Sequence, residues 1–415
     1  MKPFAKNFNR IGTENAFAVG PEIADWIGKG WDIIKVNIGE PGCNIANAAT
    51  IAAIESLKRH ETHYTLSAGS SDFRKEVANY LSATRAVKFH PEDILAAPGA
   101  KPVISGTMFI LVNPGDEVVY PSPAYPIYES MIDFVGAKRV PIKLREEKGF
   151  RFDIAELKKL VNKKTKLLII NSPSNPTGGV LEKEDYAEIA KLAKKYDFYI
   201  LTDEIYSRLA YGDNLRVASF KGNRLPLTES ILNQPGMAER TVLMDGFSKT
   251  YAMTGLRLGY AASKIKGFIP KFMTYAINIW ANLPDPCMAA AVAALGRDQS
   301  EAQAEVKKYE EKRDVAVDML NKIEGIHCHK PSGAFYLFPN VTEVCKKLKF
   351  KDAEQLRKYL LTYDKKNKKG VAVLVRQHFG KKLPGEKDEY IRISIAGKME
   401  DIKEGIRRIK EAVER

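Results

Sequence analysis

The sequence is poor in residues that bind zinc or form disulfide bridges. Its 415 residues include six histidines and four cysteines, and the cysteines, far apart, never show the C-x-x-C spacing typical of a zinc site. His327 and His329 alternate as they would on one face of a strand, but no cluster of further ligands accompanies them. We therefore expect neither a disulfide framework nor a metal centre. The cysteines are Cys43, Cys287, Cys328 and Cys345.

The sequence also lacks an apolar run of membrane-crossing length, and its first residues have no apolar core of a secretory signal. The formal net charge of +14 admits nucleic acid or an anionic surface as a partner. However, the lysines are spread along helix-like segments, without a dense basic tract or an RNA-reading aromatic motif. We expect a cytoplasmic protein that binds neither membrane nor nucleic acid, with an anionic substrate left open.

The length of the chain and its alternation of elements indicate the fold class. A chain of 415 residues is too long for one simple core, so two domains are expected. Between residues 94 and 245, short apolar strands alternate with helix-like segments, which predicts an α/β fold with a mostly parallel sheet flanked by helices. The later segments are mainly helical, with one more strand expected near Ile326–His329.

Polar residues follow several of the predicted strands. Asn175 follows one buried strand, and Asp203 and Tyr206 follow the next. Lys249 comes shortly after another strand. Because ligands bind at the carboxyl ends of the strands in an open parallel sheet, we expect these side chains to lie along one edge.

The segment from Gly246 to Tyr260 carries the strongest chemical signal. Lys249 lies between two hydroxyl-bearing residues, and Arg257 follows between two glycines. A lysine amine can form a Schiff base with an aldehyde, and an arginine presents a planar fork of donors to a phosphate. The segment therefore suggests a phosphorylated aldehyde as ligand; the alternative is ordinary surface charge.

Three loops are candidates to line the same site. A predicted strand, Ile33–Ile38, enters a turn at Gly39, where bare backbone reaches the surface. A second strand ends in the turn of residues 98–101, directly before a helix whose unpaired N–H groups suit an anion. A proline-flanked loop presents Tyr125, either as a stacking platform for a planar ring or as a packed loop aromatic.

Five motifs occur in order along the chain: Asn175-Pro176-Thr177-Gly178, Asp203 to Tyr206, Ser248-Lys249, Arg257 with Gly259, and Tyr390-Ile391-Arg392-Ile393-Ser394. In order and spacing they resemble the class I aminotransferases, pyridoxal 5'-phosphate enzymes of fold type I, and most of all the branch related to aspartate aminotransferase. The resemblance extends from about residue 38 to residue 415. It implies a large cofactor-binding domain, residues 48–295, and a smaller α+β domain built from both termini, residues 1–47 and 296–415.

The resemblance implies roles around the cofactor ring. Lys249 would bind the cofactor aldehyde and later move a proton on the substrate. Asp203 would pair with the protonated ring nitrogen and keep the ring cationic. Asn175 and Tyr206 would hydrogen-bond to the phenolic oxygen of the ring, and Tyr125 would stack on its face.

The resemblance also implies the phosphate site and the subunit arrangement. Arg257 and Ser248 would bind the phosphate together with backbone groups of Gly99 and Ala100. Tyr64 matches a tyrosine that in this family reaches the phosphate of the neighbouring subunit. A homodimer with shared active sites is therefore implied.

On the substrate side, the resemblance places Arg392 on the α-carboxylate, as a bidentate partner. Gly39, Asn175 and Phe335 would line the substrate pocket, Phe335 as a wall aromatic. Lys101 matches a lysine that in one branch meets the distal carboxylate of aspartate or glutamate; whether it meets substrate or phosphate stays open.

The segment Val375–Gly380 departs from the family pattern, which usually has small residues before the phenylalanine. Arg376 and His378 either contact substrate or lie on the surface. The function implied is transfer of an amino group from an L-amino acid, aspartate or another acidic or broad-range donor, to a 2-oxo acid such as 2-oxoglutarate. The alternatives are an aromatic or broad-specificity aminotransferase, a carbon–sulfur lyase using the same cofactor and, more remotely, a non-enzymatic sensor that binds pyridoxal phosphate.

Overall fold

The computed structural model describes residues 2, 4–12, 18–212, 215–296 and 298–414. The strands are β1 Asp32–Lys35, β2 Ile94–Ala97, β3 Glu117–Ser122, β4 Lys138–Lys143, β5 Thr165–Asn171, β6 Tyr199–Asp203, β7 Arg216–Phe220, β8 Asn223–Leu227, β9 Thr241–Gly246, β10 Gly259–Ser263, β11 Tyr336–Leu337, β12 Lys369–Ala372, β13 Leu374–Val375 and β14 Ile391–Ser394.

The α-helices are α1 Gly20–Gly28, α2 Asn47–Lys58, α3 Ser71–Thr84, α4 Lys101–Leu111, α5 Ile127–Val135, α6 Ile154–Leu160, α7 Lys183–Tyr196, α8 Phe268–Ile279, α9 Asp285–Ala294, α10 Ser300–Asn321, α11 Thr342–Lys347, α12 Ala353–Leu361 and α13 Met399–Glu414. Among the residues described, none of these helices is both long enough and apolar enough to cross a membrane.

A seven-stranded sheet forms the centre, in the order β2-β10-β9-β6-β5-β3-β4. Only β10 runs antiparallel to its neighbours, so the predicted mostly parallel sheet is confirmed. Every residue of β3 and of β9 is buried, as expected for strands covered by helices on both faces. The strands β9, β6 and β5 are direct neighbours, and their carboxyl ends therefore form one edge.

The two ends of the chain meet outside this sheet. β1 pairs in parallel with β12, and β14 lies between β11 and β13. The carboxyl-terminal helix α13 has a strongly amphipathic pattern and buries its apolar side in the same core as β14. The side chains of α13 in that core are Ile402, Ile406, Ile409, Ala412 and Val413. The exact division into two domains stays a prediction.

Two predicted strands differ from the structure. The strand expected near Ile326–His329 is wrong, because His327 makes only an isolated bridge with Asn340. The strand that was expected to continue to Ile38 ends at Lys35. Val36, the residue after this strand, donates its N–H to the carbonyl of Ala372 on β12. Its own carbonyl accepts from the N–H of Ser394 on β14. The chain thus leaves one sheet for another, and the following residues turn toward the edge formed by β5, β6 and β9.

Candidate active site

A cavity of about 480 Å³ opens at the carboxyl ends of β5, β6 and β9. Parallel strands bring loop residues to one edge, and here the loops after three neighbouring strands meet the turn that follows β1. Most of the residues singled out from the sequence line it: Gly39, Ala100, Lys101, Tyr125, Asn175, Asp203, Tyr206, Ser248, Lys249, Arg257 and Arg392.

Lys249 stands in the middle of the cavity wall. It follows β9, and its Nζ donates a hydrogen bond to the carbonyl of Gly39, 2.7 Å away. Gly39 leaves no room for a side chain, because a Cβ there would overlap the hydroxyl of Tyr336. The turn after β1 therefore brings bare backbone to the lysine amine, which lies where an aldehyde in the cavity could reach it.

Asp203 forms the buried floor of the cavity at the end of β6. Its Oδ2 accepts a 2.5 Å hydrogen bond from the hydroxyl of Tyr128, and its Oδ1 accepts one from the N–H of Ile205 at 3.2 Å. Burial raises the pKa of Asp203 from 3.8 to about 6, which these two hydrogen bonds oppose. A carboxylate held in this way favours a cationic partner inside the cavity.

Arg392 lies at another wall, on β14, and is 3% exposed. One terminal nitrogen donates to Oδ1 of Asn175 at 3.0 Å and the other donates to the carbonyl of Asn37 at 2.5 Å. The guanidinium carbon lies 4.4 Å from the ring centroid of Tyr336 and 4.9 Å from that of Phe379. These contacts fix the orientation of a fork suited to a carboxylate.

Two tyrosine hydroxyls join the walls of the cavity. The hydroxyls of Tyr206 and Tyr336 are 2.8 Å apart, and burial raises the pKa of Tyr206 well above its usual value. The phenol of Tyr206 therefore stays protonated and able to donate near neutral pH. One hydroxyl donates to the other, and the hydroxyl that accepts can still donate to a group in the cavity.

The remaining side of the cavity is suited to an anion. Helix α4 begins at Lys101, which lines the cavity together with Ser248 and Arg257, and the first N–H groups of a helix favour an anion. Gly99 has a φ of +83°, and a Cβ there would lie 2.5 Å from a guanidinium nitrogen of Arg257. Gly259 permits a similarly close approach, since its Cβ would lie 2.6 Å from the N–H nitrogen of Ala100.

The structure places several predicted residues away from the cavity surface. Phe335 is fully buried behind it, with its ring centroid 5.6 Å from the Nζ of Lys249, and the neighbouring Tyr336 forms the wall instead. Gly99 lies behind the guanidinium of Arg257. Tyr64 is 93% exposed on the surface. Its proposed role in a second subunit stays a prediction.

Other site residues were not found from the sequence. Tyr128 lies one helical turn after Tyr125, a spacing that could have suggested a second tyrosine on the same face. Tyr336 was visible beside Phe335, but the strand pairing that decides which of the two faces the cavity was not. Within the described part of the chain, no group of three or more histidine, cysteine or acidic residues is placed to hold a metal ion.

The chain matches the family model described as aminotransferase class I and II over residues 32–409, and it belongs to that family. It is 34% identical to an aspartate aminotransferase of Pyrococcus horikoshii over 387 residues, which cover 92% of this chain and 91% of that protein. An aspartate aminotransferase of Sulfurisphaera tokodaii is 32% identical over 388 residues, covering 93% and 91% respectively.

Solved structures show the same fold. The aspartate aminotransferase of Rhizobium meliloti superposes with a TM-score of 0.89 at 27% identity, covering all of both chains. The aromatic aminotransferase of Pyrococcus horikoshii superposes with a TM-score of 0.82 at 31% identity, covering 94% of this chain and 98% of that one. The fold is therefore that of the fold type I pyridoxal-phosphate enzymes, and the protein is a pyridoxal-phosphate-dependent aminotransferase.

The cavity fits this cofactor chemically. An anion site at one side, a buried carboxylate on the floor and a lysine amine between them match a phosphate, a basic ring nitrogen and an aldehyde. The absence of side chains at Gly99 and Gly259 lets Arg257 and the amino end of α4 approach each other closely. The residues present thus suit pyridoxal 5'-phosphate.

Asp203→Asn is expected to flatten part of the pH dependence of stability in the cofactor-free protein. Because burial raises the pKa of Asp203 to about 6, stability from the protonated carboxyl is fully present below pH 3.8 and is lost as the pH rises through about 6. The loss corresponds to roughly 2–3 kcal/mol of unfolding free energy. Urea unfolding of both proteins between about pH 4 and pH 7 measures it.

Asp197→Asn serves as the control, because the Asp197 side chain is 90% exposed and its ion pair with Arg240 lies at the surface, so the variant should change the unfolding free energy by less than about 1 kcal/mol. The difference in unfolding free energy between the parent and the Asp203→Asn variant should change across this range. A difference that stays constant with pH would show that Asp203 titrates alike in the folded and the unfolded chain.

Proposed function

We propose that the cavity binds pyridoxal 5'-phosphate and transfers the amino group of an acidic L-amino acid to a 2-oxo acid such as 2-oxoglutarate. The single observation that carries the acidic substrate is the cation of Lys101 in the lining of this cavity, at the start of α4. Arg257 lies against the amino end of α4, where the phosphate would bind, and Arg392 lies on β14 beside Asn175. The side-chain ammonium of Lys101 would stabilise a carboxylate on the side chain of the substrate.

Bound at this site, the cofactor supplies an aldehyde for the amine and a ring that withdraws electrons from the substrate carbon. Lys249 would hold the cofactor through its Nζ and would afterwards serve as the group that moves the substrate proton. The carbonyl of Gly39 orients the amine by accepting its hydrogen bond. Asp203 would hold a proton on the ring nitrogen, and the hydroxyl of Tyr128 keeps the carboxylate in place.

Asn175 connects the cofactor and substrate sides. Its Oδ1 accepts from Arg392, so its amide N–H groups stay available as donors and would hydrogen-bond to the phenolic oxygen of the ring. Tyr206 would donate to the same oxygen, and Tyr125 would stack on the ring. Arg392 binds the α-carboxylate through its fork, which two aromatic rings hold in place.

An aromatic donor is the competing substrate. The cavity also contains apolar and aromatic side chains, Ile38, Ile104 and Tyr336 among them, and the P. horikoshii structure at 31% identity is named an aromatic aminotransferase. Lys101 decides between the two, because a cation stabilises a distal carboxylate but contributes no such charge interaction to a phenyl ring without a carboxylate.

Lys101→Met is expected to separate the two classes of donor. Loss of a charge-assisted hydrogen bond to the distal carboxylate should lower kcat/KM for aspartate and glutamate by about 10- to 100-fold. The kcat/KM for phenylalanine and tyrosine should change less than about threefold. Steady-state assays with 2-oxoglutarate measure the aromatic donors and aspartate, and the amino-transfer half-reaction without acceptor measures glutamate.

Lys183→Met is the matched control, since Lys183 is also an exposed lysine at the first position of a helix but lies outside the cavity. It should leave all four donors unchanged. Equal losses for acidic and aromatic donors in Lys101→Met would place Lys101 on the phosphate, and no loss at all would remove it from the site.

A homodimer belongs to the proposal, and an exposed apolar surface supports it. Helix α2 exposes Ile51, Ile54 and Leu57, and the loop that follows exposes Tyr64 and Leu66. Apolar side chains grouped in this way mark a protein interface. A second copy of the chain would cover them and bring Tyr64 toward the phosphate site of its partner.

Ile54→Asp is expected to weaken the dimer, because the charge would be buried without a partner in an apolar interface. Sedimentation velocity at micromolar concentration should show a shift toward monomer. Val217→Asp is the control, since Val217 is 45% exposed and Ile54 46%, but Val217 lies on the β7–β8 hairpin. A monomeric parent protein, or equal dissociation by both variants, would contradict the dimer at this surface.

The proposal also includes a cytoplasmic location and a division of the chain into two domains. All four cysteines are free thiols, which is usual for cytoplasmic proteins. Residues 48–295 would form the cofactor-binding domain, and residues 1–47 and 296–415 the smaller one. The pairing of β1 with β12 supports this division, because it joins the two terminal segments.

A further inference from the structure

Arg376 is a fully buried arginine that neither lines the cavity nor lies on the surface. It occurs in the segment after β13 that departs from the family pattern. The other unexplained residue there, His378, lies with its Nε2 3.5 Å from Glu354 and also stays outside the cavity. A buried guanidinium requires hydrogen-bond acceptors for its N–H groups, and the acceptors of Arg376 indicate which parts of the chain it holds in place.

The guanidinium of Arg376 is bound from every side. It forms a bidentate pair with Glu386, through Nε at 2.6 Å and Nη2 at 3.0 Å. Nη1 donates to the carbonyls of Phe379 and Gly380 at 3.4 and 3.0 Å. Nη2 also donates to the carbonyl of Lys381 at 3.3 Å. Three consecutive carbonyls of one loop are thus fixed by one side chain.

This loop, residues 379–381, begins with Phe379, whose ring is one of the two that contact the guanidinium of Arg392. The Phe379 ring lies 4.9 Å from the guanidinium carbon of Arg392, and the Tyr336 ring lies 4.4 Å from it. The backbone joins the two arginines as well, because Leu374, two residues before Arg376, pairs with Arg392 across β13 and β14. A displacement of the loop would therefore remove one face of the substrate-binding arginine.

Arg376 also reaches the central sheet. Its Nη2 donates to the hydroxyl of Ser122 at 2.9 Å, at the end of β3. Two residues later, the N–H of Ala124 donates to the carbonyl of Phe379 at 3.0 Å. Ala124 directly precedes Tyr125, which lines the cavity. The loop under Arg392 and the loop carrying Tyr125 are thus held against each other.

We propose that Arg376 is a positioning residue for recognition of the substrate α-carboxylate: it fixes the Phe379 loop against Arg392 and joins it to the Tyr125 loop. The inference rests on the proposed role of Arg392. Only a planar fork can serve Glu386, Ser122 and three carbonyls at once. A lysine would keep the charge beside Glu386 but would lose most of these bonds.

Arg376→Lys tests the inference in the cofactor-loaded enzyme. The probe is maleate, a dicarboxylate without an amino group, and its dissociation constant is read from the change in cofactor absorbance. We expect maleate binding to weaken by about tenfold, the effect of roughly one net hydrogen bond to a charged group. The KM for the donor should rise, while kcat at saturation and cofactor affinity should change less than about threefold.

Arg408→Lys is the matched control. Arg408 is 3% exposed and is also bound to a carboxylate, Glu404, and to two carbonyls, those of Asp32 and Gly370, but lies outside the cavity. We expect the Arg408→Lys variant to bind maleate within about twofold of the parent, even where its melting temperature falls as far as that of Arg376→Lys. Equal maleate affinity in Arg376→Lys and the parent, or equal losses in both variants, would overturn the proposal.

Ser122→Ala and Arg392→Lys are two further test variants. Ser122→Ala removes only the hydrogen bond between Arg376 and β3, and we expect its maleate binding to be about threefold weaker. If Arg376→Lys does not fold, an unchanged maleate affinity in Ser122→Ala overturns the proposal. Arg392→Lys tests the underlying role. If it leaves maleate binding unchanged, the proposed carboxylate site fails; if it weakens binding while Arg376→Lys does not, only the inference fails.

Discussion

The parallel pairing of β5, β6 and β9 determines where the reactive groups of this protein lie. Asn171 pairs with Asp203 across β5 and β6, and Asp203 pairs with Met244 across β6 and β9. This register places the buried carboxylate between the Asn175 loop and the Lys249 loop. A slip of one residue would turn Asp203 away from the cavity and bring Thr202 or Glu204 to its place.

The charged groups around this edge lie on different walls of the cavity. The cavity has its buried carboxylate on the floor, an anion site at the amino end of α4 and a second fork of donors on β14. The basic ring nitrogen and the phosphate of pyridoxal phosphate, and the carboxylate of a substrate, would each meet a group of opposite charge. Burial of the charged Asp203 carboxylate is unfavourable without a cation beside it. A cationic ring in the cavity would therefore stabilise this carboxylate.

The sequence allowed the fold and much of the site to be predicted because these depend on local signals. The strand at Ile94–Ala97 follows from its apolar pattern and the turn behind it, and Asp203 and Lys249 were expected at one edge because each comes at or soon after the end of a strand. Tyr336 and Arg376 depend instead on pairing between β11, β13 and β14, which are distant in the chain. His327 has the alternation of a strand but only one bridging partner, so periodicity alone misled there.

The most direct test of the central claim is the site at which the cofactor is attached. Purified protein loaded with pyridoxal 5'-phosphate is reduced with borohydride, digested, and mapped by mass spectrometry, with Lys249→Ala treated in parallel. We expect the added mass on the peptide containing Lys249 in the parent protein and on no single peptide in the variant. Stoichiometric attachment at another lysine, or retention of the cofactor absorbance band in Lys249→Ala, would contradict the assignment of this cavity as the active site.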